Sequence, residues 1–269
     1  MTKIKDNCIL ITGGASGIGR IMGRMALEKG ARQLVIWDIN EQNIAATEAA
    51  LSPLGKVKGY KINVADHAAV EQAFRTTTEE CGDVDILINC AGIVTSNKTF
   101  DEQSLSDIER TMAINATAPM VVALQALPPM IKRDKGHICN IASAAGMISN
   151  PRMSVYAASK WAVIGWSDSV RIELQERKSN VHFTTVAPYY INTGMFDGVR
   201  SRFFPILDPE RTARKILRAI ERNTDFRGIP WSYHFFRLCQ GLLPVSWFDT
   251  IVGRWLGIYS TMDHFTGRK

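Results

Sequence analysis

Short apolar runs alternate along the chain with longer stretches in which apolar positions recur every three or four residues. "CILIT" (8–12), "QLVIWD" (33–38), "VKGYKIN" (57–63), "VDILINC" (84–90), "HICNIAS" (137–143) and "VHFTTVA" (181–187) read as strands. Helix-length segments fall between them at about 17–29, 41–51, 67–80, 104–132 and 154–177. This alternation predicts an α/β fold, a doubly wound parallel sheet of about seven strands. Right-handed crossovers then put helices on both faces. No repeat or low-complexity linker divides the chain. It reads as one domain over residues 1–230, with an amphipathic helical extension over 231–269.

Composition adds limits. With 269 residues, 46% hydrophobic and 22% charged, the chain is long enough for one sizeable core. Five cysteines (Cys8, Cys81, Cys90, Cys139 and Cys239) are odd in number and form no C-x-x-C or Cys/His cluster. They predict a reducing, cytoplasmic setting and no metal site. The opening "MTKIKDNCILIT" has no apolar stretch of signal-peptide length. No run of 18 apolar residues occurs, so no simple spanning helix is expected. Basic and acidic residues cancel at 20 each over 1–199, whereas 200–269 holds 12 against 6. The net charge of +6 therefore lies in the last quarter. Such asymmetry signals either an anionic partner or a solvated basic helix face.

"ILITGGASGIGRIMG" joins the first strand to the first helix. Gly13, Gly17 and Gly19 allow a tight turn and close approach of a pyrophosphate to the helix N-terminus. A glycine-rich turn alone is a weak signal, but its place between first strand and first helix strengthens it. Asp38 ends the second strand, where a carboxylate accepts ribose hydroxyls and repels a 2′-phosphate. Neither Ile39 nor Gly14, Ala15 and Ser16 brings a positive charge, so NAD is expected over NADP.

"SVYAASKWAV" puts Tyr156 and Lys160 four residues apart on one helix face. A free tyrosine has a pKa of about 10. A cation within about 4–6 Å lowers such a value by roughly 1–3 units, so the pair is expected to turn Tyr156 into a usable base. Ser143 ends the fifth strand beside the crevice where open α/β sheets bind ligands. Asn115, in "AINATAP", occupies a helix interior that asparagine disfavours. "NCAG" (89–92) ends the fourth strand at the same edge.

T-G-x-x-x-G-I-G, the N-x-A-G turn, Asn115, Ser143 and Tyr156-x-x-x-Lys160 together resemble the short-chain dehydrogenase/reductase family, with its Rossmann-type sheet, over about residues 7–230. The resemblance implies that Tyr156 exchanges a proton with the substrate oxygen and that Ser143 hydrogen-bonds that oxygen. It implies that Lys160 holds the nicotinamide ribose and that Asn115 holds a water linking Lys160 to solvent. It further implies cofactor contacts from Gly13, Ser16, Gly17, Ile18 and Gly19, then from Asp38, Asn63 and Val64. Asn89, Ala91, Gly92, Pro188, Ile191 and Thr193 complete that set with Tyr156 and Lys160. Two positions depart from the family pattern. Cys90 stands where asparagine is common, and Asn63 stands where aspartate is common but keeps an acceptor oxygen.

Past the sixth strand, "APYYINTGMF", "FPILDPE" and "GIYSTMDHFTGRK" resemble the branch holding retinol dehydrogenases and membrane-associated hydroxysteroid dehydrogenases. Met147, Ile148, Met153, Tyr189, Tyr190, Met195, Phe196, Phe203 and Phe204 are the candidate pocket wall, which suits a lipophilic alcohol or carbonyl compound. The same residues also suit plain packing of loop on core. Asp208-Pro209-Glu210 starts a helix with Ala213, Ile216, Leu217 and Ile220 inward and Arg211, Arg214, Lys215, Arg218 and Arg222 outward. No aromatic interleaving accompanies that basic face, so no nucleic acid partner is expected.

Pro244 divides the tail into two short amphipathic helices. Phe235, Leu238, Cys239 and Leu242 share one face of the first, and Phe248, Ile251, Val252, Trp255 and Tyr259 share one face of the second. Two uses follow: a lid over the pocket, and a peripheral membrane contact through residues 211–259. A homodimer or homotetramer is expected through helices 104–132 and 154–177, with Leu105, Ile108, Met112, Trp161 and Trp166 outward. The leading reading is an NAD-dependent oxidoreductase on a lipophilic alcohol. A non-catalytic NAD-binding regulator, or a membrane-associated interaction protein, is the alternative on the same fold.

Overall fold

The apolar runs pair edge to edge as parallel strands in a computed structural model that describes residues 1–201 and 204–267. The strands are β1 (Cys8–Thr12), β2 (Gln33–Asp38), β3 (Val57–Lys61), β4 (Ile86–Asn89), β5 (Gly136–Ile141), β6 (Val181–Pro188) and β7 (Phe226–Ile229). They form one sheet in the order β3-β2-β1-β4-β5-β6-β7. Every pairing is parallel, with Ile11 facing Ile36 on one side and Ile88 on the other. The chain winds outward from β1 to β3, then crosses back to β4. A crevice therefore opens at the C-terminal ends of β1 and β4. The seventh strand, "FRGI", is short and carries an arginine and a glycine, so no apolar run marks it; it pairs with Thr185–Pro188 of β6.

Helices cover both faces: α1 (Gly17–Glu28), α2 (Glu41–Leu51), α3 (His67–Cys81), α4 (Leu105–Met112), α5 (Ala118–Lys132), α6 (Ser154–Glu176) and α7 (Pro209–Glu221). Asn40, Asp66, Ser104 and Asp208 each accept a backbone N–H as N-caps, an interaction worth about 1 kcal/mol. Strand alternation splits the core in two. Ile9, Ile11, Ile36, Ile86 and Ile88 pack with Met22, Ala26, Ile216 and Ile220 of α1 and α7. Leu10, Val35, Trp37 and Leu87 pack on the other side with Phe74, Val122 and Met130 of α3 and α5. The inward face of α7 is as expected, with Ala213, Ile216, Leu217 and Ile220 all fully buried.

Two expectations about the helices need correction. The 104–132 segment is not one α-helix, because a π-helical turn over Ala113–Thr117 separates α4 from α5. Pro119 explains the break: it has no N–H to give the carbonyl four residues earlier, which is that of Asn115. Taken together, Leu105–Lys132 is long and apolar enough to cross a membrane by length and composition, although polar residues interrupt it. It packs along α3 and β5 as a core helix does. Trp166 does not face outward; it stacks edge-on against Phe183 with ring centroids 5.7 Å apart.

A third apolar cluster lies beyond the C-terminal edge of the sheet. Met147, Ile148, Met153, Tyr189 and Tyr190 pack there with the tail residues Tyr233, Phe236, Phe248, Val252, Ile258 and Met262. Pro244 does divide the tail, into α8 (Tyr233–Leu242) and α9 (Val245–Phe248), the latter continued by a π-helical turn over Asp249–Trp255. The inward positions of α8 are Tyr233 and Phe236, so Phe235, Leu238 and Leu242 face solvent. Trp255 is likewise exposed, while Phe248 and Val252 are buried.

Candidate active site

One cavity of about 330 Å³ runs from the glycine loop to the tail along the C-terminal edge of the sheet. At one end the loop is shaped by close backbone approach. Gly13 has φ +67, and a Cβ there would stand 2.9 Å from the Cα of Ala91; a Cβ on Gly19 would overlap the Gly13 carbonyl oxygen. The first turn of α1 carries no acidic side chain, and Ser16 does not cap it. Its backbone N–H groups are therefore left for an anion. Ser16, Gly17 and Ile18 line the cavity with Gly13 and Gly19.

Asp38 lines the cavity where β2 ends. Its two carboxylate oxygens accept the N–H groups of Ala15 and Asn40, each at 3.1 Å. The carboxylate thus pins the glycine loop and keeps lone pairs for another donor. Asn63, Val64, Ala91, Gly92, Pro188, Ile191 and Thr193 also line it. Thr12 Oγ1 accepts the N–H groups of Cys90 and Ala91 at 3.1 and 3.2 Å, holding the N-x-A-G turn against β1. Asn89 is the exception to the expected set. It is buried behind the cavity wall, where its Nδ2 donates to Asn140 Oδ1 at 2.9 Å.

Ser143, Tyr156 and Lys160 share the middle of the cavity. Ser143 stands two residues beyond β5, its Oγ accepting the N–H of Ala145 at 3.2 Å. Tyr156 is buried and stacks edge-on with Phe196 at 6.0 Å between centroids. The electrostatics differ from the expectation drawn from spacing. Burial pushes the Tyr156 hydroxyl up to about 12, opposed by a hydrogen bond with Ser143. The Lys160 ammonium lies 5.7 Å from the Tyr156 ring centroid and donates to the Ile141 carbonyl at 3.1 Å. Burial brings the lysine itself down to about 8. Desolvation is therefore the main influence on the tyrosine, ahead of the Ser143 hydrogen bond.

Asn115 does not line the cavity; it is fully buried one layer behind. Its Oδ1 accepts the Ile93 N–H at 2.8 Å and its Nδ2 donates to the Ile93 carbonyl at 2.9 Å. A Cβ on Gly92 would sit 3.4 Å from Asn115 Oδ1 and 3.7 Å from Lys160 Nζ.

The far end of the cavity is apolar. Ile148, Met153, Tyr189, Tyr190, Met195 and Phe196 line it as expected. Met147 is buried in the third cluster without reaching the cavity, Phe204 packs at the edge of that cluster, and Phe203 lies outside the described residues. Sequence reasoning missed Tyr233 and Ile258, which the tail brings into the wall, and Arg110 and Asn150. Their contacts join distant segments, and no local pattern marks them. Cys90 also lines the cavity, with burial holding its thiol near 12.

Residues 7–202 match the model of the family described as short chain dehydrogenase. The chain is 33% identical over 273 residues to epidermal retinol dehydrogenase 2 of Mus musculus, covering 99% of this chain and 87% of that protein. It is 32% identical over 244 residues to estradiol 17-beta-dehydrogenase 11 of Pongo abelii, covering 90% of this chain and 81% of the other. A solved structure described as a short-chain dehydrogenase from Novosphingobium aromaticivorans superposes with a TM-score of 0.78 at 22% identity, over 95% of this chain and 89% of that one. The family is one of oxidoreductases that bind a nicotinamide cofactor. By sequence motif, sheet order and family match alike, the chain belongs to the short-chain dehydrogenase family.

Proposed function

We propose that this chain is an NAD-dependent oxidoreductase that interconverts a lipophilic alcohol and its carbonyl compound. The observation that carries the reading is one cavity with the glycine loop and Asp38 at one end, Ser143, Tyr156 and Lys160 in the middle, and an apolar wall beyond. The cradle fits a dinucleotide, because Gly13 and Gly19 let the loop backbone pack tightly and the first turn of α1 leaves its N–H groups without a side-chain cap. Asp38 favours NAD, since its fixed carboxylate accepts ribose hydroxyls and repels a 2′-phosphate. A bound nicotinamide supplies or takes up the hydride.

The chain's own residues handle the proton. Tyr156, kept protonated by burial, gives its proton to the substrate oxygen during carbonyl reduction. Ser143 hydrogen-bonds that oxygen and steadies the charge developing on it. Lys160 spends one N–H on Ile141 and keeps two for ribose hydroxyls. With a pKa of about 8 it remains mostly charged at neutrality. Alcohol oxidation needs Tyr156 deprotonated, and the charged Lys160 nearby stabilises the phenolate once its proton has passed to water. Pro119 denies the Asn115 carbonyl its α-helical donor, which frees that carbonyl to hold a water on this route.

The tail serves as a lid, because Tyr233 and Ile258 line the cavity while Phe236, Phe248 and Val252 pack behind them. Its outer face carries Trp231, Phe235, Leu238, Leu242, Val245, Trp247 and Trp255, all more than half exposed. That face, together with the exposed basic face of α7, suits peripheral contact with an anionic membrane surface. Exposed Leu105, Leu124, Trp161 and Ile172 on α4, α5 and α6 favour a homo-oligomer through these helices.

The function is tested by supplying a panel of lipophilic alcohols with NAD or NADP and following absorbance of the reduced cofactor. Turnover with NAD, and a narrower NAD preference in Asp38→Ala, is the expected result. No turnover of any lipophilic alcohol or carbonyl compound would overturn the reading.

A further inference from the structure

Residues 261–266, near the end of the tail, reach the loops that build the substrate end of the cavity. Thr261 is fully buried, and its hydroxyl is used in full. It donates to the Ile258 carbonyl at 2.9 Å and accepts from Asn150 Nδ2 at 2.8 Å. Its second lone pair takes the Tyr190 hydroxyl at 3.1 Å. The Thr261 carbonyl accepts the Arg200 N–H at 3.2 Å. Asn150 lies in the loop after β5, and Tyr190 and Arg200 lie in the loop after β6. The residues that follow make the same kind of contact. The Met262 carbonyl accepts from Asn97 Nδ2, in the loop after β4, at 2.9 Å, and Asp263 pairs with Arg152 at 3.4 Å. The Thr266 N–H donates to the Asp197 carbonyl at 2.9 Å.

Both of the loops that Thr261 joins lead to Tyr156. The loop after β5 runs directly into α6, whose first turn holds Tyr156. The loop after β6 carries Tyr190, Met195 and Phe196 of the cavity wall. The Tyr190 ring stacks edge-on with Phe196 at 5.0 Å, and Phe196 stacks edge-on with Tyr156 at 6.0 Å. Phe265 of the tail meets Phe196 at 6.4 Å.

Apolar packing is non-directional, whereas hydrogen bonds fix direction. Helix α8 meets the body through Tyr233, Phe236 and the Arg237 guanidinium over the Phe226 ring, so it covers the pocket without fixing its loops. We propose that Thr261 is a positioning residue for the reaction: it holds the loops after β5 and β6 in one mutual position, so that Phe196 is set against Tyr156. The assignment rests on the dehydrogenase reading above and goes beyond the lid role of the tail. Valine in place of Thr261 keeps the shape and strands the Asn150 amide and Tyr190 hydroxyl donors. Misplacement at a reacting centre is costly even when its cause is remote.

The test compares the native chain with Thr261→Val, Thr261→Ser and Tyr190→Phe by amide hydrogen exchange, NADH fluorescence titration and turnover of a lipophilic alcohol with NAD. In Thr261→Val, exchange should speed up over 144–153 and 189–200 while β1 to β5 keep their protection. NADH should bind with native stoichiometry, which counts folded sites, and kcat per site should fall by about tenfold. Thr261→Ser, which keeps the hydroxyl, should behave as the native chain. The double variant Thr261→Val/Tyr190→Phe should lose less than the product of the two single losses, because both act through one cluster. If Thr261→Val does not fold, Tyr190→Phe carries the same comparison of exchange and kcat. Native exchange in both loops, loosened loops with native kcat, failure of serine to substitute, or losses that multiply would each overturn the proposal. Faster loop exchange in Thr261→Val with no turnover by the native chain would sink the dehydrogenase reading and spare the hold of Thr261 on the loops. Native exchange in Thr261→Val beside normal turnover by the native chain would do the reverse.

Discussion

The two ends of the sheet treat their polar groups in opposite ways. At the N-terminal end, side chains are closed upon one another. His137 is fully buried, with Nδ1 2.9 Å from Thr2 Oγ1 and Nε2 2.8 Å from Thr184 Oγ1. Thr184 in turn donates to the Thr224 carbonyl at 2.7 Å, and Thr2 to Asn223 Oδ1 at 2.8 Å. Asp85 accepts the Cys8 N–H at 2.9 Å and pairs with Lys135 at 3.2 Å. At the C-terminal end the accounting stays open. Among the described residues, the buried side-chain oxygens without a partner are those of Asn89, Asn97 and Asn150. Asn89 ends β4, Asn97 lies in the loop after β4, and Asn150 lies in the loop after β5. Tyr156 and Lys160 are buried there as well, both held away from their ordinary pKa values by desolvation. One end closes its polar groups on one another, and the other leaves some unpaired and holds Tyr156 and Lys160 at a cost in desolvation.

The sharpest way to probe the open end is Tyr156→Phe, which removes a hydroxyl and little else. Turnover should fall by about 10²–10⁴-fold, the range for loss of a general acid/base, while cofactor affinity measured by fluorescence titration stays the same. Near-normal turnover in a folded variant would remove Tyr156 from the chemistry.

The closed end answers to acid. Burial, the main cause, lowers His137 from 6.5 to about 3. Between those values the unfolded chain binds the extra proton and the folded one does not, so stability falls as pH drops from 6.5 toward 3. Its full share amounts to roughly 5 kcal/mol, at about 1.4 kcal/mol per unit. His137→Gln should flatten the dependence of melting temperature on pH in this window. An unchanged slope would place the acid-sensitive group elsewhere.

Lys160 gives a smaller effect of the same sign at higher pH. Its folded pKa is lowered from 10.5 to about 8, so the unfolded chain holds more protons between those values. Stability should rise with pH across that window, and the penalty is fully present below it. Lys160→Met removes a penalty of roughly 3 kcal/mol at most. It should raise the melting temperature of the cofactor-free protein at neutral pH while turnover collapses. A lower melting temperature would mean that the Ile141 hydrogen bond outweighs the cost of burying the charge.

How legible this was in the sequence differs by region. Strands β1, β2 and β4 are apolar runs with no rival reading, and the motifs of the open end mark Gly13, Asp38, Ser143, Tyr156 and Lys160 by spacing alone. Spacing misleads where burial decides. It gives no measure of desolvation, the main influence on Tyr156 in this structure. It put Trp166 outside, because α6 carries apolar residues on both faces and only packing against Phe183 shows which is inner. Asn89 belongs to a motif whose neighbours line the cavity, yet its own side chain turns inward to Asn140. Asn150 and the tail's Tyr233 were illegible because their meaning comes from segments far apart in the chain.

The central claim is that the open end moves a hydride between an alcohol carbon and NAD. Its most direct test is to supply a lipophilic alcohol deuterated at the carbinol carbon and to weigh the reduced cofactor. The account predicts that NADH gains one deuterium from the substrate with the native chain, and that Tyr156→Phe forms such NADH far more slowly. Reduced cofactor without substrate deuterium, or deuterium transferred to NADP in preference to NAD, would contradict it.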